Sequence, residues 1–75
     1  MDNLIYWVWL SLNTSPNNKM IRRLLLETGD PRTIYFMDES QLNKISYLNE
    51  YSVHKLLNKD IDEAKKIIEK CESNN

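Results

Sequence analysis

From Leu4 to Leu12 the chain reads LIYWVWLSL, eight apolar or aromatic residues in nine, and no helical face of such a stretch is clean enough to be left in water. As a helix it sets Trp7 and Trp9, the two tryptophans of the chain, about 200° apart at 100° per residue, so packing partners are needed on two sides. A strand competes on local grounds, because Ile5, Tyr6, Trp7, Val8 and Trp9 all have high β propensity. No later stretch reads as a partner strand, however, and propensity alone is a weak guide. The expectation is a central helix with both indoles mostly buried, wrapped by the other helices and packed directly against the second.

The chain has 75 residues, which makes a single domain over 1–75 with a modest core and a stability of a few kcal/mol on the order of. One Gly and two Pro argue against disorder and against a turn-rich β fold. The fold class expected is therefore all-α. Net charge is −1, so the chain as a whole has no electrostatic pull toward nucleic acid or anionic lipid. Four basic against three acidic residues give +1 over residues 1–37, and six against eight give −2 over 38–75. The apolar opening follows Met1, Asp2 and Asn3 with no basic n-region, so it does not read as a targeting segment. Nine residues at 1.5 Å rise reach about 14 Å, too short to span a bilayer. The single cysteine, Cys71, without CxxC or histidine clusters, suggests neither disulfide nor metal and fits a reducing, cytoplasmic setting.

Along the chain, Asp2 or Asn3 can cap a first helix over about 3–12, ended by Asn13 to Ser15. Ser15 followed by Pro16 reads as a cap with proline at the first helical position, opening a second helix over about 16–28 with a stripe of Met20, Ile21, Leu24 and Leu25 and a left-handed stop at Gly29. Asp30 and Pro31 repeat that signature for a short third helix carrying Ile34, Tyr35 and Met37, which ends near Met37. Asp38 with Gln41 is a capping box for a fourth helix that buries Leu42 and Ile45, with a break at Ser46 and Tyr47. Asn49 caps a fifth, in which Leu48 and Val53 form a hydrophobic staple and Leu56 and Leu57 also face inward. Asp60 with Glu63 reads as a further capping box for a last helix whose inward face is Ile61, Ala64, Ile68 and Cys71 and whose wet face pairs Asp62 with Lys66, before Glu72 to Asn75 fray. The expected core is Trp7, Trp9, Leu24, Leu25, Ile34, Leu42, Leu56 and Ile68, with helices paired one to two and four to five.

This succession resembles the N-terminal domain of the DNA-processing DprA (Smf) family. The resemblance is carried by the opening LIYWVWLSL, the run RRLLLETGDPRTIY with Gly29, Asp30 and Pro31, the segment DESQLNKI, and the closing LLNKDIDEAKKIIEKC, which together cover nearly the whole chain. It implies a compact bundle of five or six short helices, SAM-like or helix-hairpin-helix-like, around the hydrophobic N-terminal helix. It further implies a domain that precedes a Rossmann-like domain in a bacterial cytoplasmic protein that binds single-stranded DNA and loads RecA during natural transformation. The Rossmann-like part does not follow within these residues, so the chain resembles a domain excised from a longer protein.

Helix-hairpin-helix motifs grip phosphate with backbone N–H groups of a glycine-bearing hairpin. Where relatives tend to read GIGP between the first two helices, this chain reads Asn13, Thr14, Ser15 and Pro16, and at the second equivalent turn it reads Ser46, Tyr47, Leu48 and Asn49. Side chains there obstruct close backbone approach, so DNA binding through either hairpin is not expected. Lys19, Arg22, Arg23 and Arg32 form a basic cluster that is the candidate phosphate contact if DNA binds, against a plain solvated face. Tyr47 and Tyr51 are candidate stacking surfaces that more often only pack their rings. His54 has no second ligand or nucleophile at a useful spacing, and Cys71 reads as a small hydrophobe on an apolar face. The expectation is a non-enzymatic accessory domain, without cofactor, metal, membrane or small-molecule substrate, whose own role is protein contact or positioning of the main domain. The alternative is a weak, non-specific DNA-binding helix-hairpin-helix module.

Overall fold

Side-chain caps set most of the helix starts, and the chain turns wherever one appears. The computed structural model describes residues 2–15 and 17–73, with the side chains of Asp2, Asn3 and Ser73 outside the described set. Six helices follow in order: α1 Asp2–Asn13, α2 Lys19–Thr28, α3 Pro31–Tyr35, α4 Glu39–Asn43, α5 Glu50–Leu56 and α6 Asp62–Ser73. No strand occurs among the described residues, so the all-α expectation is met and the LIYWVWLSL stretch is helical. Asp30 caps α3 through Thr33 N–H with Pro31 behind it, Asp38 and Gln41 close a reciprocal capping box on α4, and Asn49 caps α5 through Ser52 N–H. Gly29 ends α2 at φ 90°, its N–H donating to the Leu25 carbonyl at 2.8 Å. That left-handed turn is where glycine is needed.

Several local details differ from the sequence reading. The second helix begins at Lys19 instead of Pro16, because Asn18, in an extended conformation, accepts from both Met20 N–H at 2.9 Å and Ile21 N–H at 3.2 Å. Ser15 closes the preceding turn instead, its carbonyl accepting from Asn18 N–H at 3.0 Å; Pro16 lies outside the described residues. The capping expected of Asp2 or Asn3 likewise falls on side chains outside the described set. No Asp60–Glu63 box forms: Asp60 Oδ1 accepts from Asp62 N–H at 2.9 Å in a turn just ahead of α6. α3 stops at Tyr35, short of Met37. Glu72 and Ser73 stay helical, and no Asp62–Lys66 ion pair forms among the described residues; the helical pair observed is Arg23 with Glu27 at 3.3 Å.

Every helix sends side chains to one core, made of Trp9, Leu10, Ile21, Leu24, Ile34, Leu42, Val53, Leu56 and Ala64. Trp9 is its hub, with no exposed surface. Its indole N–H donates to the Asn58 carbonyl at 2.6 Å, and its ring meets Tyr35 edge-on with centroids 4.9 Å apart. α1 packs mainly against α3 and α6 and also meets α5, α2 rests on α3, and α4 rests on α5. The expected pairing of α4 with α5 is therefore present, whereas the close packing of α1 on α2 is not. α3 takes that place because its cap-plus-proline start turns Ile34 and Tyr35 onto Trp9.

The unfilled α1–α2 contact carries a second correction. Trp7, expected in the core, is 49% exposed. Helix geometry puts Tyr6, Trp9 and Asn13 toward α3, α5 and α6 and turns Trp7 to the other side of α1, where α2 leaves it half-covered. Leu25 is half-buried against the core, and Ile68 is half-buried rather than central. Cys71, expected on an apolar face, is exposed.

Candidate functional site

The uncovered face of α1 continues onto α2. On α1 Leu4 and Leu12 are each 48% exposed, and on α2 Leu26, which lines a depression together with Trp7, is 86% exposed. Single exposed leucines mean little, but Trp7 and Leu26 meet in one depression across the two helices, apolar surface of the kind that marks an interaction site. Between the two helices lies a groove with Trp7, Leu10 and Thr14 on the α1 side and Asn18, Ile21 and Leu25 on the α2 side, enclosing about 250 Å³. A second depression continues it past Trp7 and Leu25 to Leu26 and Gly29. Arg22 lines both parts, and neither is lined by a carboxylate.

The polar groups at the groove's closed end are committed to local structure. Thr14 Oγ1 donates to the Leu10 carbonyl at 2.7 Å, and Asn18 Oδ1 is the α2 cap. Asn13 Nδ2 donates to the Trp9 carbonyl at 2.8 Å, while its Oδ1 accepts from Asn58 Nδ2 at 3.2 Å. The α1–α2 turn is thereby tied to the α5–α6 turn by its own side chains.

The basic residues do not converge. Lys19, Arg22, Arg23 and Arg32 are all exposed, yet Arg23 points to the α4–α5 turn, where its guanidinium pairs with Glu27 and lies 4.2 Å from the centroid of the Tyr47 ring. Tyr47 completes the clasp by donating its hydroxyl to Glu27 Oε2 at 2.7 Å. Burial, and next the hydrogen bond to Glu27, push the Tyr47 phenol up to about 12. Arg32, on α3, lies 5.8 Å from the centroid of the exposed Phe36 ring. Among the described residues Arg22 alone of the three arginines has neither a carboxylate nor an aromatic partner. The second turn is equally occupied, with Tyr47 in the clasp and Asn49 capping α5.

Lys59 is a residue that sequence reasoning passed over. Its ammonium donates to the Tyr35 carbonyl at 2.5 Å and the Met37 carbonyl at 3.0 Å, and it lies 5.5 Å and 5.3 Å from the centroids of the Trp9 and Tyr35 rings. Tyr35 returns a hydrogen bond from its hydroxyl to the Lys59 carbonyl at 2.5 Å. Burial lowers the Lys59 pKa, opposed by Asp38, and burial raises that of Tyr35. A cation that satisfies the last carbonyl of α3 and one just beyond it, and rests on two aromatic rings, is a fastener of the bundle. No local pattern announces it, since 24 residues separate Lys59 from Tyr35.

Elsewhere the chemistry is sparse. His54 is exposed beside Glu50 and Val53, and among the described residues no group of three or more His, Cys, Asp or Glu side chains is placed to hold a metal. Tyr51 is 70% exposed, its ring 5.5 Å from the Lys55 ammonium. No described helix is long and apolar enough to cross a membrane. Comparison with known proteins finds no matching family model, no matching curated relative and no matching solved structure.

Proposed function

We propose that this chain is a non-enzymatic contact domain that works through the Trp7 groove, binding a protein partner or holding the main domain of its own protein in place. The observation that carries the proposal is the half-exposed Trp7 on a helix that is apolar all round, beside a groove without acidic residues. The resemblance of its segment order to the DprA (Smf) family extends the proposal to an accessory N-terminal domain of a bacterial, cytoplasmic DNA-processing protein, in which single-stranded DNA and RecA would be handled by the full-length protein. The scattered arginines and the self-bonded turns favour protein contact over DNA for this domain itself.

The test is an NMR titration of the isotope-labelled chain with three additions: RecA, a DprA-type Rossmann-like domain, and a single-stranded oligonucleotide. A protein addition should shift the Trp7 indole N–H together with Leu25 and Leu26, and the oligonucleotide should leave Asn13 to Arg23 unmoved near physiological salt. Saturable oligonucleotide shifts over Asn13 to Arg23 that weaken as salt rises would instead establish the phosphate-binding module. Silence with both proteins would remove the DprA-like reading.

A further inference from the structure

The groove also constrains what can lie in it. We propose that its occupant is an amphipathic α-helix of a partner protein that sets apolar side chains against Trp7, Leu25 and Leu26 and a carboxylate against Arg22; this rests on the groove being a protein-contact surface.

Two features argue for a helix with an acidic flank. The groove is walled by two helices, so it offers no strand edge, and its hydroxyl and amide side chains Ser11, Thr14, Ser15 and Asn18 are already engaged with neighbouring backbone. An extended peptide laid there would bury backbone N–H and C=O groups without partners, at about 1–3 kcal/mol each. A helix satisfies its own backbone and presents anchors at i, i+3/i+4 and i+7. From Asn18 to Leu26 the α2 wall rises about 12 Å at 1.5 Å per residue, room for roughly two turns of a docked helix.

The second feature is charge. Arg22 lines both parts of the groove, no carboxylate lines either, and no carboxylate of this chain pairs with Arg22 among the described residues. Arg23, one position on, is by contrast neutralised within the bundle by Glu27. An acidic residue on the incoming helix would meet an unpaired guanidinium at the margin of an apolar cleft, where a charge pair fixes register and rejects basic competitors.

The experiment uses capped 14-residue helical peptides with leucines at i, i+4 and i+7, one flanked by Glu, one with Lys in place of each Glu, and one with the leucines changed to Ser. Binding is followed by tryptophan emission, since Trp7 is the indole in reach of solvent and Trp9 is enclosed. The Glu peptide should give a saturable blue shift and the Ser peptide none. Arg22→Glu should weaken the Glu peptide at least tenfold and reverse the preference toward the Lys peptide, with Lys65→Glu on α6 as a remote charge control and Arg22→Gln as a milder variant. Equal binding of the Glu and Lys peptides would overturn the acidic partner while leaving the contact surface standing. A blue shift that grows with protein concentration alone would replace the partner with a second copy of this chain. Silence with every peptide would overturn the helical occupant if the protein titrations above still move Trp7, and the surface itself if they do not.

Discussion

The two tryptophans, two positions apart on one helix, should respond to truncation by very different amounts. Trp9 is fully enclosed, so Trp9→Ala removes a core ring, its hydrogen bond to the Asn58 carbonyl and one of the two rings beneath Lys59. Large aromatic truncations of that kind cost about 3–5 kcal/mol. A 75-residue domain has on the order of 4–11 kcal/mol in total, so Trp9→Ala leaves a protein near its unfolding threshold. Trp7 hides only about half its surface, and half of the roughly 1.5–3 kcal/mol for full burial of a large apolar side chain puts Trp7→Ala near 1 kcal/mol. Urea unfolding followed by circular dichroism separates them: with a slope near 1 kcal/mol per molar, Trp7→Ala should lower the midpoint by about 1 M and Trp9→Ala by about 3 M or more. Acrylamide quenching of the parent should find one accessible and one inaccessible indole. Equal midpoint losses for the two variants would refute the one-sided wrapping of α1, and with it the case for an uncovered contact face.

Gly29→Ala should destabilise by about 1 kcal/mol through backbone strain alone, since φ is 90° and nothing lies within 4 Å of an added Cβ, and Gly29→Asn should lose less; thermal melts check both. The Tyr47 phenol, raised in the folded state to about 12 from 10.0, contributes stability that is fully present below pH 10 and is lost as pH rises from 10 toward 12. Alkaline unfolding of Tyr47→Phe compared with the parent should therefore show a shallower loss across that window, and an identical slope would mean that the clasp with Glu27 does not form. Asn18→Ala should cost about 1 kcal/mol and fray the first turn of α2, seen as faster amide exchange at Met20 and Ile21. Exposed Cys71 should react with a thiol reagent in the native protein at close to the rate in urea, whereas protection would return it to an apolar face.

Much of the fold is legible one short segment at a time, because its signals are local. Asp30 with Pro31, Asp38 with Gln41, Asn49 and Gly29 each settle a helix end through a hydrogen bond within three or four residues, and such bonds depend on little beyond the segment itself. Where two local caps compete, sequence alone chooses less well: Ser15 and Asn18 both qualify before α2, and Asn18 wins by satisfying two N–H groups at once. The candidate site was legible only in part. The unusual apolarity of LIYWVWLSL is plain in the sequence, but it predicted burial of both indoles, and only the structure leaves Trp7 half-exposed.

The sequence by itself determined that the chain is helical and where most of its helices are punctuated. Only the tertiary structure decided which side is covered. Trp9 faces α3, α5 and α6, Trp7 faces a groove that α2 leaves open, and the choice depends on how α3 turns over Trp9 and how Lys59 fastens it from 24 residues away. The four arginine and lysine candidates likewise share a neighbourhood in sequence and part company in space, Arg23 into the Tyr47 clasp and Arg32 onto α3. Helix periodicity encodes which residues share a face, but the direction that face takes is set by packing among distant segments, whose energies appear only once the whole bundle has assembled.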